Sequence, residues 1–200
     1  MRRLRFWLVL AAVVAVQVWW FQRETPTERR LGAVAQEIAR APVAVRCPSV
    51  WGRLLDVSSF SGTAHVDSEG RPTHAELKHE ICETFDRIAD DGFPADLSCL
   101  DRDACRDSEL DVAEAVHVLA HESWHLAGSF DESVTECYAI QTDAAVAQRL
   151  GASGGAALAI ARFSWRVNPR IALPEYRVGG ECRDGGRLDL HGGSAGWPTA

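Results

Sequence analysis

The sequence predicts a small α+β domain, stapled by disulfides and exported behind an N-terminal membrane segment. Three observations carry that expectation. Residues 107 to 126 repeat apolar side chains at helical spacing, and a second helical run follows after a short glycine turn. Ser61–Val66 and Thr73–His79 flank the turn-rich Asp67–Gly70 as the strands of a hairpin would. Six cysteines, Cys47, Cys82, Cys99, Cys105, Cys137 and Cys182, follow a basic and then apolar N-terminus.

Arg2, Arg3 and Arg5 precede Phe6–Phe21, which is apolar apart from Gln17. Counted from Leu4, this stretch gives roughly 27 Å of helix, close to the hydrocarbon thickness of a bilayer. It ends in Trp19, Trp20 and Phe21, which suit a membrane interface, and not in the small residues that mark a cleavage site. An uncleaved signal anchor over residues 1–23 is therefore favoured over a cleaved signal, whose product would be secreted. Either way the positive flank stays cytoplasmic and the remainder is extracytoplasmic. An even set of cysteines fits such an oxidising compartment and predicts three disulfides. Cys99 and Cys105 bracket a short polar loop and are the easiest pair. Cys137 would staple its helix to another segment. No C-x-x-C pair is present, which argues against zinc held by thiolates.

Residues 24–45 are charged and alanine-rich, and Glu28–Arg40 is expected as a short helix, either a stalk or a first packing helix. Residues 46–200 then form the domain proper. The roughly 175 residues after the anchor suffice for one sizeable core. A formal net charge of −7, with no long basic run after the anchor, argues against nucleic acid as a partner. Ala75, Leu77 and His79 alternate with Glu76 and Lys78 as in a half-buried strand, and Glu80–Asp90 reads as a helix with Ile81, Phe85 and Ile88 on one face. His65, His74 and His79 are expected to be exposed or structural. Gly92–Asp107 is a polar loop.

Ser108 is the expected cap of the next helix, with Leu110, Ala113, Val116, Ala120 and Trp124 along its apolar stripe. Gly128 follows as a C′ residue, and Asp131 can cap a further helix from Glu132. So short a turn makes the two helices antiparallel. Gly151–Arg166 reads as another helix, ended by Asn168-Pro169. The tail Leu173–Ala200, rich in glycine and proline, either crosses a cleft or is disordered.

The chemistry is concentrated in His121-Glu122-Ser123-Trp124-His125, an H-E-x-x-H run. On a helix the two histidines stand one turn apart on one face, where they can chelate one Zn²⁺, and the glutamate between them can serve as general base toward water. His117, one turn earlier, is a possible substrate contact, although packing or solvent exposure is the commoner role for such a residue.

Glu132-Ser-Val-Thr-Glu136-Cys-Tyr-Ala139 resembles the second zinc helix of the gluzincin metallopeptidases, a group of zincins. The resemblance covers about residues 109–140. It implies zinc as cofactor, Glu132 as third ligand and Glu136 as the group that orients a histidine. A rival reading takes His121–Asp131 as the metzincin pattern in its aspartate form. Metzincins need a methionine turn beneath the zinc, and the only methionine here is Met1. The order of third-ligand candidates is Glu132, then Glu136, then Asp131.

The fold implied is zincin-like, with the hairpin as a sheet edge beside the zinc helix, where an extended peptide could add as a strand. The function implied is a membrane-anchored, extracytoplasmic zinc metallopeptidase acting on a peptide or protein, with Glu122 as general base. The oxyanion donor is left open among His117, Tyr138, Tyr176, His191 and the arginines. The alternative is a catalytically inactive, zinc-stabilised envelope protein that binds a partner. That alternative needs both histidines but not Glu122.

Overall fold

The computed structural model describes residues 24–48, 61–192, 197 and 198, together with Trp7. The anchor expected over residues 1–23 lies outside these residues apart from Trp7. Among the described residues no helix is long and apolar enough to cross a membrane.

Helix α1 spans Pro26–Ala39. Thr25 and Glu28 cap each other reciprocally, with Glu28 N donating to Thr25 Oγ1 at 3.1 Å and Thr25 N to Glu28 Oε2 at 2.6 Å. Pro26 occupies the first turn, where its missing N–H is harmless. Leu31, Val34 and Ala35 are buried on one face, so the segment is a packing helix against a strand and the central helix. That strand, β1 (Ala44–Arg46), was not foreseen. It pairs in parallel with β3 (Pro72–Leu77), which pairs antiparallel with β2 (Gly62–Val66). The sheet order is β1-β3-β2, so β2 is an outer strand among the described residues. Ala75 and Leu77 point into the core, while His65 and His74 stack across the hairpin on the other face. Helix α2 (His79–Asp91) buries Ile81, Phe85 and Ile88, as its periodicity predicts.

Helix α3 (Asp107–Leu126) packs against α1, α2, β2 and β3, and against the two helices that follow, α4 (Glu132–Arg149) and α5 (Gly154–Ile171). Two details differ from expectation. The cap lies at Arg106, not Ser108, because Arg106 N donates to Glu109 Oε2 at 2.9 Å. The buried surface is also wider than a single stripe. Val112, Ala115 and Leu119 join Ala113, Val116 and Ala120, while Leu110 is 37 % exposed. A helix held between a sheet and two other helices has partners around most of its circumference, so one-sided periodicity understates its burial.

Gly128 takes φ 94°, the left-handed conformation that glycine enters without a Cβ penalty, and ends α3. Asp131 then caps α4, accepting from Val134 N at 3.1 Å. The turn brings α4 back antiparallel along α3: His125 meets Glu132, His121 meets Glu136 and His117 meets Asp143. Helix α5 runs through Pro169 to Ile171, past the break expected at Asn168-Pro169. Proline removes one N–H near the helix end, and Asn168 secures the exit. Its Nδ2 donates to Tyr176 O at 3.0 Å and its Oδ1 accepts from Val178 N at 3.1 Å.

All six cysteines are paired, as Cys47–Cys82, Cys99–Cys105 and Cys137–Cys182. The last bond pins the tail to α4, where Leu188 and Trp197 are buried beside it. Gln141 adds two bonds, donating to Leu188 O at 2.9 Å and accepting from Leu190 N at 2.8 Å. Among the described residues the tail is thus docked behind α4, and only its first residues reach the cleft described next.

Candidate metal centre

The helical repeat of α3 puts His117, His121 and His125 on successive turns of one face, and the antiparallel return of α4 lays carboxylates over them. His121 Nε2 and His125 Nε2 lie 3.0 Å apart, and Glu132 Oε2 is 3.1 Å from the first and 3.2 Å from the second. Neighbouring contacts set the tautomers. His125 Nδ1 faces Ser129 O at 2.7 Å, a carbonyl that only accepts, so Nδ1 carries the proton and Nε2 presents a lone pair. His121 Nδ1 likewise donates to Glu136 Oε2 at 3.0 Å. In the neutral tautomers three lone-pair atoms therefore converge with no proton between them. Such a triangle is repulsive unless a cation sits at it.

The residues fit a metal ion. Ligands about 2.0–2.1 Å from a tetrahedral Zn²⁺ stand roughly 3.3 Å from one another, close to the spacing observed. Two imidazoles and a carboxylate are donors that several first-row divalent ions accept, zinc among them, and three protein ligands leave at least one position open. His121, His125 and Glu132 form one group that could hold a metal; His117, His121 and Glu136 form another.

Glu136 faces away from the first triangle. Its Oε1 accepts from Asn168 Nδ2 at 2.7 Å, and His117 Nε2 lies 3.1 Å from both carboxylate oxygens. His117 Nδ1 is in turn 3.1 Å from Asp143 Oδ2, so both ring nitrogens are committed to carboxylates. Burial disfavours charge on His117, but Glu136 and Asp143 outweigh it and hold its pKa well above the ordinary value. Burial pushes Glu136 up, yet His117 and His121 outweigh that and hold it far below the usual carboxylate range. The chain Asp143–His117–Glu136–His121 is a closed set of charge-assisted bonds that fixes the His121 ring. Asp131 stays outside both groups, its side chain used in capping α4.

Glu122 is different. It is 6 % exposed, and its Oε2 is buried with no hydrogen-bond partner. Burial pushes its pKa up to about 7, with Glu132 adding and His121 opposing. Its side chain lies against the backbone of β2 at Gly62, where a Cβ would stand 2.7 Å from Glu122 Cγ. Only glycine leaves that room.

These groups open on a cleft of about 910 Å³. Its floor is α3, one wall is Ser61 with the start of β2 from Gly62 to Ala64, and the other is the end of α5 with Leu173 and Tyr176. Of the oxyanion candidates named from sequence, His117 and Tyr176 line this cleft. Tyr138 packs on Trp124 and His191 is exposed elsewhere. The Tyr176 ring lies 5.7 Å from that of His121, and burial and the carboxylates of Glu132 and Glu122 raise its pKa, so it keeps its proton as a donor.

Three participants were not singled out from sequence. Asp143 lies seven residues after Glu136 on the same helix face, a spacing that could have flagged it. Asn168 was read only as a helix breaker, and Gly62 carries no local signal at all. No protein-family model, no curated protein and no solved structure matches this chain.

Proposed function

We propose that this protein is an exported, membrane-anchored zinc metallopeptidase of zincin type, with His121, His125 and Glu132 as ligands and Glu122 as general base. The observation that carries the reading is the convergence of three lone-pair atoms within 3.0–3.2 Å of one another, next to a buried carboxylate oxygen with no partner. Three disulfides support an oxidising compartment, in keeping with a signal anchor over residues 1–23.

A Zn²⁺ ion at the triangle supplies Lewis acidity toward a carbonyl and activates water near neutral pH. The chain's own residues do the rest. Glu122 takes the proton of the attacking water on its free carboxylate oxygen and returns it to the leaving amine. Tyr176, the only phenol among the described residues lining the cleft, donates to the oxyanion that develops on the scissile carbonyl. Glu136, braced by His117, Asp143 and Asn168, keeps His121 in its ligating tautomer.

An inactive zinc-stabilised protein has no use for a buried, unpartnered Glu122, because such a group only weakens the fold. The test is metal analysis of the purified chain together with hydrolysis of quenched peptides. Wild type is expected to hold one Zn²⁺ and cleave. His121→Ala should lose both, and Glu122→Gln should keep the metal without cleaving. Zinc without hydrolysis in the wild type leaves the inactive reading, and a wild type that takes up no metal ends both.

A further inference from the structure

We propose that the cleft receives a neutral, apolar stretch of peptide chain and turns away segments that bring a carboxylate of their own. The proposal rests on the metallopeptidase reading and adds the class of substrate.

Apolar exposure is the first ground. A folded chain rarely leaves large apolar side chains clustered in water without a ligand to cover them. Leu110 is 37 % exposed, Phe130 66 % and Leu173 59 %, and all three border this one cleft. Val118, Phe163 and Val167 continue the same surface between α3 and α5. Leu110 stands on α3 about three turns before His121, so the apolar track extends well beyond the metal ligands. A space of about 910 Å³ is at the upper end of ordinary binding pockets and exceeds what one side chain fills.

Charge is the second ground. Glu114, Glu122, Glu132 and Glu136 line the cleft, and no lysine or arginine does among the described residues. His117 is the one further cation, and it is held between Glu136 and Asp143. A divalent ion at the triangle would be offset in part by Glu132, while Glu114, farther toward the apolar end, accepts from Ser61 Oγ at 3.2 Å and faces no lysine or arginine within the cleft among the described residues. Recognition of a carboxylate calls for a guanidinium fork or an ammonium group. None lines this cleft. Away from the metal, Asp or Glu in the bound segment, or a free C-terminus there, would lie among Glu114, Glu132 and Glu136 with no guanidinium or ammonium group to pair with.

The test uses full-length, zinc-loaded protein in detergent and internally quenched peptides of equal length, blocked at both ends. One position beside the scissile bond carries Leu, Phe, Asp or Glu. Apolar peptides are expected to show kcat/KM at least about tenfold above acidic ones. Removing the C-terminal block next to the bond should cost a similar factor. Leu173→Lys, at a position 59 % exposed, should narrow the apolar-to-acidic ratio, and Leu110→Lys should do the same.

Binding of the same peptides to Glu122→Gln, read by fluorescence anisotropy, separates the two proposals. The same rank order in binding with no hydrolysis by wild type overturns the peptidase reading and keeps the substrate class. Equal or tighter binding of acidic peptides overturns the substrate class, as does an apolar preference that both lysine variants leave untouched. Failure of every peptide to bind overturns it as well.

Discussion

Glu122 and Glu136 are almost equally buried, at 6 % and 8 % exposure, and both lie within the influence of His121, yet their surroundings are opposite. On the α4 side, Glu136 has every oxygen occupied by His117, His121 or Asn168 and stays ionised. On the β2 side, Glu122 meets the bare backbone of Gly62 and keeps one oxygen unpartnered. A satisfied buried carboxylate contributes to the fold, whereas an unsatisfied one weakens it and is available for proton transfer. On the proposed reading, the difference separates the part of the site that holds geometry from the part that would do chemistry.

Three substitutions would break or sharpen that contrast. The largest effect on turnover is expected from Glu122→Gln. Peptide hydrolysis should fall by about 10²–10⁴-fold, the usual contribution of a positioned base, while zinc content stays at the wild-type level. Denaturant unfolding of the metal-free form should show stability equal to wild type or higher, because an unpaired buried carboxylate has been neutralised. A clear loss of stability would mean that Glu122 has a structural partner after all.

Glu136→Ala should act in the opposite direction. It removes the acceptor of His117 Nε2, of His121 Nδ1 and of one Asn168 N–H, so unfolding free energy should drop by about 3 kcal/mol. Zinc affinity, measured by chelator competition, should weaken by about ten- to a hundredfold as the His121 ring loosens. Complete loss of metal, with Glu132→Ala retaining it, would exchange the roles of the two α4 carboxylates.

Gly62→Ala is the subtlest. The added methyl displaces Glu122 without touching a metal ligand, so turnover should fall by about tenfold while zinc affinity is unchanged. Unaltered turnover would show that Glu122 does not depend on that contact.

What the sequence by itself determined is local. His121, Glu122, His125, the Gly128 turn, the Asp131 cap and Glu132 lie within a dozen residues. Helical periodicity and one short turn are enough to bring them to a common point. The hairpin from Gly62 to Leu77 and the Cys99–Cys105 loop were legible for the same reason. Only the tertiary structure decided how His117 is used, since its partners Glu136 and Asp143 come from another helix. It also decided that Gly62 makes room for Glu122, that Asn168 reaches Glu136 from 32 positions away, and that Cys137 pairs with Cys182 across 45. The parallel pairing of β1 and the continuation of α5 through Pro169 belong with these. Periodicity records which residues share a face of one element. Which faces then meet depends on how all the elements bury their apolar surfaces together.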